Sequence, residues 1–291
     1  RGQLLSLYMI TNMAGMAAGQ MMISLGEAGA PGLFLLASVM VSIAVVPILI
    51  TASAAPSFEA PERISFRRLV QVSPLAVVGM VFVGIITSMI FGMGAVYGRA
   101  IGLNDSQVGY FMTAVTLGAL ALQYPVGHLS DRFDRRAVIL GATLIAAVAV
   151  AAAGFFGADQ FVIILLMMMI FGGLLFSLYS LFIAHANDYL TPSQMVAMSS
   201  GLLMINGAGA VVGSPLAATV IDVIGFKGFM PTMALFFLTL AGFVIYRMNM
   251  RPAVPAESQG SFVAIPDASS GVAVNLSPEV EWVMDHTVED E

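Results

Sequence analysis

The residues best suited to chemistry in this chain lie in one short charged segment, Gly127-His-Leu-Ser-Asp-Arg-Phe-Asp-Arg-Arg136. A carboxylate among arginines can form ion pairs within the segment, or its charge can lie at the positive N-terminal end of a neighbouring helix. Such contacts can hold one conformation closed and release it in another. The segment therefore predicts a conformational latch, formed by Gly127, Asp131, Arg132, Arg135 and Arg136. The alternative is a basic anchor that keeps this segment at one membrane surface.

Other chemistry is largely excluded by the residue types. The chain has no Cys, which excludes a disulfide framework, thiolate metal ligands and a cysteine nucleophile. Its three His residues are scattered at positions 128, 185 and 286, so we expect neither a metal site nor catalytic residues. No G-x4-G-K-[ST] sequence is present to bind nucleotide phosphates. We therefore expect no cofactor, no nucleotide or nucleic-acid partner, and no enzymatic activity.

The composition places most of the chain in a lipid bilayer. Of its 291 residues, 59% are hydrophobic and only 10% are charged, whereas a soluble domain has about a quarter charged residues. A helix needs about 20 mostly apolar residues to cross the hydrocarbon layer. Eight stretches reach that length, at roughly 4–25, 33–52, 73–97, 108–129, 137–156, 161–184, 195–218 and 229–247. The sequence predicts an all-α polytopic membrane protein.

The distribution of basic residues predicts the orientation. If the first span enters from the cytoplasm, nine of the eleven Lys and Arg residues lie on that side, and only Arg99 and Lys227 lie on the other. Basic loops stay cytoplasmic, so the loop at 127–136 is expected there. So is the C-terminal tail of residues 252–291, which has eight acids, no Lys or Arg, and a composition typical of mostly disordered chain.

An internal repeat predicts how the spans are grouped. Ser6, Asn12, Gly15 and Gly19 recur 194 residues later, as Ser200, Asn206, Gly209 and Gly213. The two copies lie six spans apart, which indicates a six-helix unit repeated in parallel, as in transporters built from two halves. Eight of twelve expected helices are then present, and we expect the other four upstream of Arg1. The glycines of the repeat predict close helix packing, at Gly15, Gly19, Gly209 and Gly213.

The division of the chain follows from this count. Residues 1–52 hold the last two helices of the first half, and residues 53–70 are a cytoplasmic linker. Residues 71–251 form the second six-helix half, and residues 252–291 form the tail.

The charged segment resembles the G-x-L-x-D-R-x-G-R-R/K motif of the major facilitator superfamily, which lies between the second and third helices of each half. The matching residues are Gly127, Leu129, Asp131, Arg132, Arg135 and Arg136, whereas Asp134 replaces the usual Gly. The stretches that begin at Arg1 and Gln194 look most like the YcaD-like bacterial transporters. The resemblance implies a secondary active transporter of a small molecule in the bacterial cytoplasmic membrane, working by alternating access. The alternative is a transporter-like sensor or scaffold that acts through the acidic tail.

The resemblance also implies where the latch and the substrate path lie. Asp131 and Arg132 would face the start of the first helix, near residues 2–6, and stabilise the outward-open state. The first and fourth helices of the second half would line the path, with flanking helices contributing polar groups. The candidate cavity residues are Asn12, Thr87, Ser88, Phe91, Tyr97, Gln123, Ser177, Tyr179 and Asn206.

No carboxylate lies near the middle of a predicted span. Five acids at span ends or in loops are interpreted as solvated, namely Glu27, Asp105, Asp159, Asp188 and Asp222. A proton-coupling acid, if the cycle uses one, would lie upstream of Arg1. Arg99, on the outer side, either meets an anionic substrate or extends to the lipid headgroups. We expect the eight helices alone not to form a complete pathway.

Overall fold

The structure is a computed structural model, and it describes residues 2–22, 31–50, 65–156, 158–190, 192–250, 260 and 262. Within these residues every regular element is helical. The α-helices in this part of the chain are α1 (Gly2–Met21), α2 (Pro31–Ile50), α3 (Phe66–Val72), α4 (Pro74–Ala100), α5 (Asp105–Arg132), α6 (Arg135–Phe155), α7 (Phe161–Asn187), α8 (Pro192–Ile224) and α9 (Phe229–Met250). Two short 3-10 turns precede α7 and α9, at Ala158–Gln160 and Phe226–Gly228.

All eight predicted spans form helices. Five helical segments are long and apolar enough to cross a membrane, namely Pro74–Ala100, Arg135–Phe155, Ala158–Asn187, Ala197–Ile224 and Phe226–Met250. The other three predicted spans correspond to α1, α2 and α5, of which α2 contributes the shorter apolar segment Pro31–Pro47. The predicted all-α membrane fold is thereby confirmed.

A short helix, α3, occupies the end of the predicted 53–70 linker. The Oγ of Ser65 caps it by accepting a hydrogen bond from the N–H of Arg68 at 3.3 Å. Leu69 is buried and packs against the backbone of Gly201 in α8. With 7 residues, α3 is too short to show helical periodicity in the sequence. Residues 51–64 lie outside the described part of the chain, so the rest of the linker stays a prediction.

Helices α4 and α8 approach each other to backbone contact. A Cβ on Gly209 would collide with the carbonyl oxygen of Val81, and a Cβ on Gly213 would collide with that of Ile85. Both contact positions advance by four residues in the same direction, so the two helices run parallel. Small residues permit this approach in membranes, where close packing drives helix association.

Polar bonds join the same two helices. The hydroxyls of Ser88 and Ser214 lie 2.7 Å apart, and the Nδ2 of Asn206 donates to the carbonyl oxygen of Met80 at 3.2 Å. Lipid offers no competing partners for these groups. The α4–α8 contact therefore combines glycine packing with interhelical hydrogen bonds.

Helices α5 and α7 form a second pair of the same kind. They run parallel, because the contact of Gly118 with Met169 is followed further along both helices by the hydrogen bond of Gln123 with Ser180. A Cβ on Gly118 would collide with the carbonyl oxygen of Met169, and a Cβ on Gly172 would collide with that of Val115. Every residue of α7 from Phe171 to Ala186 is buried, which makes this half of α7 the centre of the bundle.

The remaining helices lie around these two pairs. Helix α6 packs on α7 and α9 and exposes large apolar side chains such as Val148, while α1 packs on α5. On α1, a Cβ on Gly15 or Gly19 would meet no other described atom within 4 Å. The packing role of these two glycines therefore stays a prediction.

The α4–α8 contact predicts opposite effects of one substitution at two nearby glycines. Gly209→Ala places a methyl group against the Val81 carbonyl, whereas a Cβ on Gly207 of the same helix meets nothing within 4 Å. Both changes gain the same helix propensity, roughly 1 kcal/mol. We expect Gly207→Ala to keep or raise the melting temperature in detergent, and Gly209→Ala to lose stability by about 1–3 kcal/mol. Equal melting temperatures would contradict the backbone contact.

Candidate functional site

The described basic side chains separate to the two ends of the bundle. One end gathers the starts of α4 and α6 with the ends of α7 and α9, and it includes Arg136 and Arg247. The other end gathers the ends of α4, α6 and α8, with Lys227 and the neighbouring Arg99. We call the first the motif end, because it carries residues 127–136.

Arg135 is the centre of the motif end. Its side chain is 1% exposed, although it carries a permanent charge. Its Nε donates to the Oγ of Ser130 at 3.0 Å, its Nη1 to Oδ1 of Asp188 at 2.6 Å, and its Nη2 to the carbonyl oxygen of Gly260 at 2.6 Å. Each guanidinium nitrogen thus has an acceptor, as burial of a charge requires.

The interpretation of Asp188 as a solvated helix end is wrong. Its side chain is 2% exposed and forms the ion pair with Arg135 from the C-terminal end of α7. Burial raises the pKa of Asp188 above its ordinary value, while Arg135 and the N–H of Gly260 oppose this rise. One sequence signal pointed to a further carboxylate, since residues 127–136 contain three arginines and only two acids.

Asp134, which departs from the family motif, caps α6. Its Oδ1 accepts from the backbone N–H of Arg136 at 3.0 Å, and its Oδ2 accepts from Nη2 of the same arginine at 3.1 Å. Its φ of −53° is in the region that any L residue adopts. No glycine is needed at this position, and the added charge is paired.

Two described tail residues lie on the motif. The Oδ1 of Asp131 accepts a hydrogen bond from the backbone N–H of Phe262 at 2.8 Å, and it lies 3.9 Å from Nη2 of Arg135. The ring of Phe262 occupies the space where a side chain on Gly127 would lie. Arg132 is exposed. The side chains of residues 2–6 lie outside the description, so the predicted contact of Asp131 and Arg132 with α1 stays a prediction.

Arg99 pairs with a carboxylate of the chain itself, whereas the sequence analysis expected either an anionic substrate or the lipid headgroups. Its Nη2 lies 2.6 Å from Oδ1 of Asp105 in the first turn of α5, and the two side chains are 51% and 30% exposed. The pair bridges the α4–α5 turn at the end opposite the motif.

The candidate cavity residues on α4 are dispersed. Thr87 is half-buried, and Phe91 packs edge-to-face on Phe176 with ring centroids 6.2 Å apart. Tyr97 stacks on Phe229 at 5.1 Å and lines an open cavity of about 700 Å³ at the end opposite the motif. Ser88 bonds α4 to α8, as described above, and so does Asn206 from the α8 side.

The structure brings one polar pair together across the central helices. The Nε2 of Gln123 on α5 donates to the Oγ of Ser180 on α7 at 3.3 Å, and both side chains are buried. Ser177 donates to the carbonyl oxygen of Gly173 in its own helix at 2.7 Å, and Tyr179 is buried beside it. The Oδ1 of the half-buried Asn12 has no hydrogen-bond partner among the described residues. The cavity role of all these residues stays a prediction.

No group of three or more His, Cys, Asp or Glu side chains in the described part of the chain has the arrangement of a metal site.

Comparison with known families assigns the chain. The family model described as Major Facilitator Superfamily matches residues 76–275, which is more than half of the chain. The chain belongs to the major facilitator superfamily. The match begins in α4 and includes the turn between α5 and α6 that carries Arg135, so the predicted resemblance to this superfamily is confirmed.

Curated relatives give the same result. The chain is similar to the uncharacterized MFS-type transporter Ent638_1421 of Enterobacter sp. (strain 638), at 27% identity. It is also similar to the uncharacterized MFS-type transporter YcaD of Escherichia fergusonii, at 23%, and of Salmonella arizonae, at 25%. Each match covers 220 residues, or 75% of this chain and 56% of the relative. The chain therefore spans about half the length of the curated relatives that it matches.

The two ion pairs predict different costs for losing one carboxylate. Asp188→Ala leaves the buried Arg135 charge without its partner, which costs about 3–5 kcal/mol of folding free energy. Asp105→Ala breaks a pair of the same length between exposed groups, which costs about 0–1 kcal/mol. Thermal unfolding of both variants in detergent measures the difference.

A double variant separates the charge from the packing. Arg135→Met with Asp188→Leu removes both charges and should recover much of the stability that Asp188→Ala loses. If Asp188→Ala is no less stable than Asp105→Ala, the buried ion pair of Arg135 and Asp188 does not stabilise the motif end as described.

Proposed function

We propose that this chain is part of a secondary active transporter that moves a small molecule by alternating access. The observation that carries the proposal is the superfamily match over residues 76–275, which includes the motif turn built on Arg135. In this proposal residues 1–52 belong to the first half of the transporter and residues 71–251 form the second. The packing of α1 on α5 supports a contact between the two halves.

The proposed substrate path passes the buried pair of Gln123 and Ser180. Polar side chains inside a membrane protein are costly and commonly mark a substrate or ion pathway. This pair joins the two helices that pack through Gly118 and Gly172, so its position is defined by backbone contacts. In this proposal α7 lines the path, and its side chains from Ser177 to Phe182 are buried.

The acids of the described residues lie at helix ends or turns, namely Asp105, Asp131, Asp134, Asp159, Asp188 and Asp222. We propose that proton coupling, if the transporter uses it, depends on an acid outside the middle of these described spans.

The sidedness is part of the proposal. The motif end, with most of the described arginines, is placed in the cytoplasm, because basic residues are retained on that side. The protein would then lie in the bacterial cytoplasmic membrane with its tail inside.

Transport is tested with adjacent residues of α5. The protein is expressed from its own gene, with any in-frame coding sequence upstream of Arg1, and reconstituted in liposomes with a bacterial metabolite extract. Mass spectrometry of the lumen should detect a compound that accumulates saturably. We expect Gln123→Leu to slow this uptake by about tenfold, because a buried hydrogen-bonding group is lost. Tyr124→Leu, at a position that is 79% exposed, should leave it unchanged.

The controls separate the two candidate functions. Residues 1–291 alone are expected to show no saturable uptake. If no compound accumulates in any preparation, and deletion of residues 255–291 removes a cellular phenotype, the sensor or scaffold function replaces transport. Equal uptake by the two leucine variants contradicts the path through Gln123.

A further inference from the structure

The motif end binds a segment of the chain's own tail through backbone groups. Gly260 donates its N–H to Oδ1 of Asp188 at 3.1 Å, and its carbonyl oxygen accepts from Arg135 at 2.6 Å. Phe262 donates its N–H to Oδ1 of Asp131 at 2.8 Å. We call the residues that contact the tail, Gly127, Asp131, Arg135 and Asp188, the tail-docking surface.

One side chain adds specificity to these backbone bonds. The ring of Phe262 lies over Gly127 and packs against the buried core, and a Cβ on Gly127 would overlap it. An aromatic ring on a glycine of a helix is a close apolar contact, and the adjacent charged bonds fix its register. The surface therefore contacts the tail through backbone groups of Gly260 and Phe262 and through the ring of Phe262.

The tail begins at the end of the bundle where this surface lies. Helix α9 ends at Met250 at the same end of the bundle, ten residues before Gly260. An extended chain of that length spans up to roughly 33 Å. Because the segment is tethered, its effective concentration at the surface is on the order of millimolar.

We propose that the tail-docking surface is a peptide-binding surface whose occupant is the tail segment around Gly260 and Phe262, and that this occupancy competes with closure of the Asp131 latch. The consequence for the cycle rests on the proposed function. When Phe262 occupies Oδ1 of Asp131, that oxygen is engaged by the tail and not by the other half. Docking then disfavours the state in which the cytoplasmic side is closed, and release favours it.

Docking is tested by photo-cross-linking in the full chain, with p-benzoylphenylalanine in place of Phe262. This residue keeps an aromatic ring at the position that lies over Gly127. The control carries p-benzoylphenylalanine in place of Trp282, further along the same tail. Docking predicts that mass spectrometry finds the adduct on residues 127–131 about tenfold more often from position 262 than from position 282. A freely tethered tail gives equal adducts from both positions, and that result overturns the proposal.

Control of the cycle is tested by labelling Thr87→Cys, at a half-buried candidate cavity position, with a membrane-impermeant maleimide from each side. This uses the protein expressed from its own gene, with any in-frame coding sequence that lies upstream of Arg1. Phe262→Ala should slow cytoplasmic labelling by about fivefold and speed labelling from the outside, while Phe262→Tyr, which keeps the ring, should match the parent.

The outcomes distinguish the two proposals. Two-sided labelling that Phe262→Ala does not change overturns control by the tail and leaves alternating access standing. Labelling from one side only, in all variants, overturns alternating access and the control that depends on it, while the cross-linking result still decides whether the tail docks.

Discussion

Lipid supplies neither hydrogen bonds nor a hydrophobic driving force between helices, and this constraint determines how the bundle is built. Helices can associate only where their surfaces fit closely or where polar groups bond across them. The chain meets the constraint twice with the same device, a parallel pair in which glycines lie against the carbonyl oxygens of the partner helix. Cα–H groups can then contact those oxygens directly. Helices α6 and α9, with few polar groups, lie outside these pairs and expose apolar side chains to the surroundings.

The same constraint applies at the motif end, where the bundle contains a buried charge. Arg135 is withdrawn from water and must find its acceptors in the protein. It finds them on the α5 end, the α7 end and the tail, at Ser130, Asp188 and Gly260. A basic anchor at a membrane surface would leave its arginine solvated. Arg135 is therefore not a solvated anchor, while the latch role of residues 127–136 stays a prediction.

Sequence reasoning predicted the parts that depend on periodicity and composition. The helices, the charged segment and the superfamily follow from apolar stretches and one spaced motif. The partners across the bundle did not follow, because they depend on which helix ends meet. Asp188 is separated from Arg135 by the lengths of α6 and α7, and Ser214 from Ser88 by the three helices α5, α6 and α7. The sequence did not predict α3 for a different reason. The stability of this short helix comes from one serine cap and from Leu69 packing on α8.

The two carboxylates that face Arg135 differ in a way that suits a moving protein. Asp188 is buried in its ion pair, and breaking such a pair costs about 3–5 kcal/mol. Asp131 is 37% exposed, lies 3.9 Å from the arginine, and accepts one backbone N–H. A bond of that kind contributes about 0.5–3 kcal/mol. States that exchange during a working cycle differ by only a few kcal/mol, so a contact remade in each cycle must be of the weaker kind. In the proposed cycle Asp188 would therefore keep the motif end assembled, while Asp131 would be the carboxylate whose partner changes.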